Sequence, residues 1–265
     1  MSLLQAVILA IIEGVTEFLP ISSTGHMIVG SSVMGIATDP FVKAFTVAVQ
    51  LGAIASVVVL YWKRFFQSLK FYFVLAVAFL PAAVLGFLFN DFIDALLERV
   101  DVVGWTMVAG GFILLAVDKW FARTVESGVE EVSYAKGVRI GFFQCIAMIP
   151  GVSRSAATIV GGLAVGLNRQ SAAEFSFLLA VPTMLAATVY KLANLYVSGN
   201  PFGNEQVILL VCGNVVAFLV AMAAIKLFIG YLARHGFRIF GYYRIVFGAI
   251  ILALYYYGAN LQMMS

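Results

Sequence analysis

Two short polar segments inside an otherwise apolar chain hold the residues best suited to do chemistry. The first, EGVTEFLPISSTGH at residues 13–26, carries two carboxylates, four hydroxyls and an imidazole. Residues 1–12 carry no charged side chain, and with His26 neutral the next charge after Glu17 is Asp39. Ionisable groups at membrane depth are costly, so they normally line a cavity and serve a purpose. Glu13 and Glu17, spaced i and i+4, project from one face of a helix. Held near one another they could ligate Mg²⁺ or Ca²⁺ through oxygen. Alternatively, their repulsion could keep one of them protonated as an acid. Pro20 and Gly25 break the segment where Ser22, Ser23, Thr24 and His26 fall.

The second segment, IPGVSRSAAT at residues 149–158, supplies Ser153, Arg154, Ser155 and Thr158. An intramembrane arginine must find anions, and its planar fork suits a phosphate or a carboxylate. Each loop is expected to lead into a short helix, at about 24–34 and 155–166, whose N-terminal N–H groups and partial positive charge favour anions. A hydroxyl within reach of His26 or Glu17 could act as nucleophile toward phosphorus. Cation site, nucleophile, base and oxyanion clamp together point to phosphoryl transfer. Plainer roles exist for each member: hydroxyls in apolar helices often bond only to backbone carbonyls, and Arg154 could serve as a counter-charge. Gln50 and Gln144 suit helix-to-helix hydrogen bonding. Glu174 is expected at the end of a span, paired with Arg169 or Arg154.

The elements that must position these residues follow from composition. The chain has 265 residues, 63% hydrophobic and 11% charged, with a mean hydropathy of +1.02. An average soluble domain is about 25% charged, so this is an integral membrane protein, and its spans make an all-α polytopic fold the expectation. Six windows are apolar and long enough, or nearly so, to cross ~30 Å of hydrocarbon: 44–62, 71–90, 102–117, 175–190, 206–225 and 245–264. Regions 1–38 and 137–168 are each interrupted by a polar loop, and their short arms suit re-entrant hairpins, since irregular backbone is tolerated only when buried in protein.

The chain also repeats itself. Pro20 matches Pro150 and Phe45 matches Phe175 at an offset of 130, and VAFLPAAVLGFLF (77–89) lines up with VAFLVAMAAIKLF (216–228). Gly110 likewise falls against Gly248. A single membrane domain, 1–265, is expected, with repeat 1 about 1–122 and repeat 2 about 136–260. Each half holds one re-entrant helical hairpin plus three transmembrane helices. Three crossings is odd, so the second half enters the membrane upside down, the inverted-topology repeat of many transporters.

Lysine and arginine set the orientation. Twelve fall on one side (Lys63, Arg64, Lys70, Lys119, Arg123, Lys136, Arg139, Arg169, Lys226, Arg234, Arg238 and Arg244) against Lys43, Arg99 and Lys191 on the other. The basic side is expected in the cytoplasm and both termini outside, so the two hairpins enter from opposite faces and meet near the middle. No Lys or Arg precedes Lys43, so the first segment lacks the basic start of a cleavable signal peptide. The acidic stretch 91–101 is expected to be a solvated outer loop, and Cys145 and Cys212 to be small buried hydrophobes. A net charge of +3 gives no reason to expect a nucleic-acid partner.

These motifs resemble the undecaprenyl-diphosphate phosphatase family, also known as the bacitracin-resistance proteins, over essentially the full length. The family's glutamate motif falls on Glu13 and Glu17, its SSTGH loop on Ser22, Ser23, Thr24, Gly25 and His26, and its PGxSRSxxT loop on Ser153, Arg154, Ser155 and Thr158. The resemblance implies removal of the terminal phosphate from undecaprenyl diphosphate, recycling the lipid carrier for cell-wall synthesis and giving bacitracin resistance. It also implies dependence on a divalent cation (Mg or Ca), a site open to the outer face of the bacterial inner membrane, and a homodimer among membrane lipid. Ser23, activated by Glu17 or His26, is the first choice of nucleophile. His26 through a phosphohistidine, or water activated by a metal on Glu13 and Glu17, stays open. The competing class is an ion-coupled carrier or a flippase of a polyprenyl phosphate, which would share the broken helices and intramembrane acids.

Overall fold

The computed structural model describes residues 1–66, 68–97, 99–122, 132–197, 202–258 and 261; Glu98 and Arg123 of the charge pattern lie outside them. Within the described residues the chain is helical, and six spans are long and apolar enough to cross a membrane. Helix α1 (Leu3–Thr16) starts in a capping box, with Ser2 and Gln5 each bonding the other's backbone N–H. Its 14 residues cover only about 21 Å at ~1.5 Å per residue, short of a full crossing. A turn at Pro20–Ser22 leads into α2 (Ser23–Val33). The same short-turn-short pattern recurs as α8 (Tyr134–Ile146) and α9 (Arg154–Ala164).

The long elements lie around these pairs. Helices α3 (Pro40–Ala48) and α4 (Gln50–Leu60) form one span with a jog at Val49. Then come α5 (Leu69–Leu88), the surface helix α6 (Asn90–Leu97), and α7 (Val100–Trp120). The second half continues with α10 (Arg169–Val197), α11 (Asn204–His235) and α12 (Arg238–Tyr256). Helices α7 and α12 pack closely along their lengths. Small residues at the crossing permit this: a Cβ on Gly111 would stand 2.8 Å from the Gly241 carbonyl, and one on Gly248 2.9 Å from that of Gly104. Helix α1 packs on α11, α8 on α5, and α9 on α10.

Four expectations need correction. The last span runs from Arg238 rather than residue 245, because Arg244 is wholly buried in protein and does not mark the edge of the bilayer. The stretch 91–101, expected to be a loop, is mainly helical, supplying most of α6 and the start of α7. Glu174 pairs with Arg64 at 3.7 Å, while Arg169 reaches Asp118 at 2.6 Å. Both cysteines are free and only half-buried.

Candidate active site

The turn between α1 and α2 places Glu17 at the centre of a polar cluster. Glu13, one turn earlier, is only 1% exposed and faces the same cluster. The Ser23 hydroxyl, at the first position of α2, donates to Glu17 Oε2 at 2.7 Å. From the second half, Arg154 at the start of α9 donates through Nη2 to Glu17 Oε1 at 2.7 Å. Two carboxylates, a hydroxyl and a guanidinium from the two polar loops therefore meet. The guanidinium also donates to the Ser176 carbonyl at 3.1 Å and lies over the Phe18 ring.

The second loop is internally braced. Ser153 Oγ caps α9 by accepting from the Ala156 N–H at 3.2 Å, and pairs with Ser155 Oγ at 3.0 Å. Ser155 donates to the Leu19 carbonyl of the first loop at 2.8 Å. Thr158 is fully buried, bonding the Arg154 carbonyl at 2.8 Å and Ser176 Oγ at 2.6 Å. Thus Ser153, Ser155 and Thr158 hold the loop in shape, while Ser23 and Arg154 stand at Glu17. Thr24 is half-buried on the first turn of α2.

Ser22 and Ser153 share one feature, positive φ angles of 70° and 72°, and they are the only such non-glycine residues described. Backbone of this kind costs on the order of 1–3 kcal/mol and persists only where its surroundings enforce it. The two helix starts nevertheless differ. Ser153 caps α9 with its side chain, whereas Ser22 makes no side-chain cap and leaves the first N–H groups of α2 available.

His26 takes a different direction from Ser23. Its Nδ1 lies 2.7 Å from the Ser22 carbonyl, which can only accept, so Nδ1 carries a proton. In the neutral ring Nε2 is then the acceptor, and it receives the Tyr243 hydroxyl at 2.6 Å. The imidazole stacks on Phe247 at 4.2 Å between centroids, nearly parallel. Tyr243 was not singled out by its sequence context, YYRIVF. It and His26 border an apolar groove of about 830 Å³ whose walls include Ile11 and Val15 of α1, Val29 of α2 and Phe247 of α12.

Sequence reasoning also missed the central role of Arg244, which the charge pattern assigned to the cytoplasmic side. It is 0% exposed and hydrogen-bonds carbonyls of both loops and of α7. Its only signal in the sequence was an arginine between aromatic and apolar runs.

Comparison with known proteins decides the family. The family model for bacitracin resistance protein BacA matches residues 6–250. The chain belongs to this family. Its relatives include the undecaprenyl-diphosphatase of Flavobacterium psychrophilum, 59% identical over 257 residues, which are 97% of each chain. The undecaprenyl-diphosphatase of Bdellovibrio bacteriovorus is 57% identical over 265 residues, 99% of this chain and all of the other. That of Aquifex aeolicus is 44% identical over 253 residues, 95% and 98% of the two chains.

The site in this BacA-family chain has the donors a hard divalent cation would take. Glu13 Oε1 is buried without a hydrogen-bond partner, and Glu13 lies beside the Glu17 carboxylate. Among the described residues no group of three or more His, Cys, Asp or Glu side chains is gathered. Two carboxylates is the number that suits Mg²⁺, which commonly completes its shell with water and substrate phosphates.

Proposed function

We propose that this chain hydrolyses undecaprenyl diphosphate to undecaprenyl phosphate and phosphate, returning the lipid carrier to cell-wall synthesis and giving resistance to bacitracin. The reading follows the activity for which its relatives, matched over nearly their whole length, are named. One structural observation carries it to particular atoms. Buried polar atoms almost always find partners, yet an acceptor, Glu13 Oε1, and a donor, Arg154 Nε, lack them within one cluster. A ligand with both anionic oxygens and an associated cation completes that set.

In this mechanism the spare Arg154 N–H and the open N–H groups at the start of α2 hold the terminal phosphate, offsetting charge on its equatorial oxygens. Glu17 accepts the Ser23 proton along the existing 2.7 Å hydrogen bond. Ser23 Oγ forms a bond to phosphorus as the bond to the bridging oxygen breaks, and undecaprenyl phosphate leaves. Once Glu17 has passed that proton to the departing undecaprenyl phosphate, water attacks the phosphoserine. Glu17 takes the water's proton and hands it to Ser23 Oγ as the bond from Oγ to phosphorus breaks, releasing phosphate. A divalent cation held by Glu13 and Glu17 would supply charge neutralisation for the diphosphate. His26 as nucleophile, or water in place of Ser23, are the competing routes. The apolar groove beside His26 is suited to the first isoprene units of the tail.

The finer architecture we propose is the inverted repeat, each half a re-entrant hairpin (α1–α2, α8–α9) with three crossings. Packing partners exchange between halves in support of it: α1 lies on α11 and α8 on α5, α4 on α11 and α10 on α5, while α7 pairs with α12. The bacterial inner membrane, both termini outside, an outward-facing site and a homodimer complete the proposal. Exchange of this kind is also what a flippase would use.

The deciding experiment is phosphate release from undecaprenyl diphosphate by purified protein, with and without chelator. Release abolished by chelator and restored by Mg²⁺ or Ca²⁺ is expected. No release, together with movement of labelled polyprenyl phosphate across vesicles, would favour transport.

A further inference from the structure

Arg244 stands where the two loops converge, and its hydrogen bonds use the whole guanidinium. Nη1 donates to the carbonyls of Pro20 at 3.2 Å and Val152 at 2.9 Å. Nη2 donates to Gly151 at 3.0 Å and Thr106 at 3.2 Å, and Nε to Met107 at 3.3 Å. A guanidinium has five N–H groups, so none remains for a phosphate. Arg154 differs, because its Nε is free. The loop carbonyls that Arg244 binds lie one or two residues before the two positive-φ serines, Ser22 and Ser153. Ser23 and Arg154 follow those serines directly.

We propose that Arg244 is a positioning residue, which holds the two strained serine turns in register and so fixes Ser23 on one loop relative to Arg154 on the other. Side-chain bonds to carbonyls from α7 and both loops tie three segments to one planar group. Lysine cannot replace it, since an ammonium has three donors on a single nitrogen. The kinetic part of this inference rests on the hydrolase reading; the structural part does not.

The test compares wild type with Arg244→Lys and Gly110→Ala. The second variant leaves Arg244 in place but puts a Cβ against its Nη2, forcing the guanidinium to shift. It also keeps the idea testable if Arg244→Lys fails to fold. Two readouts are needed on detergent-purified full-length protein: kcat and KM for undecaprenyl diphosphate per folded molecule, and hydrogen exchange of residues 19–24 and 150–155. In both variants kcat should fall on the order of 10²-fold with KM little changed, the cost of misplaced reacting groups. Exchange should rise about tenfold in both loops together, as a shared restraint is lost.

Loosening of one loop alone, or of neither, overturns the proposal whether or not the protein is active. So does a kcat per folded molecule close to wild type in the variants. A wild-type protein that releases no phosphate sinks the hydrolase reading only, and the exchange data still decide Arg244.

Discussion

Ser23 and Glu17 share a 2.7 Å hydrogen bond, so proton transfer between them needs no rearrangement. If Ser23 is the nucleophile, Ser23→Ala should be nearly inert, and Glu17→Gln should lose roughly 10²–10⁴-fold, the usual worth of a general base. The double variant should lose no more than Ser23→Ala alone, because both changes remove one step. Substantial phosphate release by Ser23→Ala would leave His26 or water as the attacking group, and mapping a trapped phosphoenzyme would choose between them. Glu13 makes a separate case. Its orphan oxygen suits a cation, so Glu13→Gln should shift the Mg²⁺ or Ca²⁺ titration of activity to higher concentration. An unshifted curve would remove Glu13 from the cation site. Arg154→Lys should lose most activity although charge is kept, because three donors on a single nitrogen cannot span Glu17, the Ser176 carbonyl and a phosphate as the planar guanidinium does.

The elements bring these residues together through close packing and through the groove. Helices α7 and α12 meet at glycines, and Gly111→Leu would drive a side chain into Gly241 and Ile245. Overpacking of this kind costs about 1–3 kcal/mol, so the unfolding temperature of the purified variant should fall. An unchanged midpoint would mean that the crossing is looser than the backbone approach indicates. Val29 on α2 lines the groove. A Val29→Trp variant should raise KM for the C55 substrate by about tenfold or more, with a smaller effect on a short-chain prenyl diphosphate, since lost apolar contact is the cause. Equal effects on both substrates would place the tail elsewhere.

Orientation belongs to the whole molecule. Ser68 and Ala95 are exposed at opposite ends of α5 and its continuation α6. In a background without Cys145 and Cys212, a thiol reagent that cannot cross the membrane should label Ser68→Cys only from the cytoplasm and Ala95→Cys only from outside. Labelling in the reverse sense would turn the site toward the inner face. Removing the buried Arg244 from the basic side leaves the asymmetry large, with Lys63, Arg64, Lys70, Lys119, Lys136 and Arg139 still together.

What the sequence determined by itself was the class of molecule and the identity of the chemical groups. Continuous uncharged windows of about 20 residues become helices, because a helix satisfies all of its backbone polar groups within one segment in lipid. Acids, hydroxyls and an arginine within such windows must serve a site, because their burial is too costly to be idle. Spacing could place Glu13 and Glu17 on one helix face, since that depends only on local geometry. Tertiary structure alone decided which groups meet. Glu17 and Arg154 are 137 residues apart, and their contact depends on how two loops fold against each other. It also separated His26, stacked on α12, from the Ser23–Glu17 pair, although the two residues are three apart in sequence. Arg244 was misread for the same reason: charge-based topology assumes that arginines outside an obvious polar motif face water, and one whose five N–H groups find carbonyls inside the protein escapes that rule.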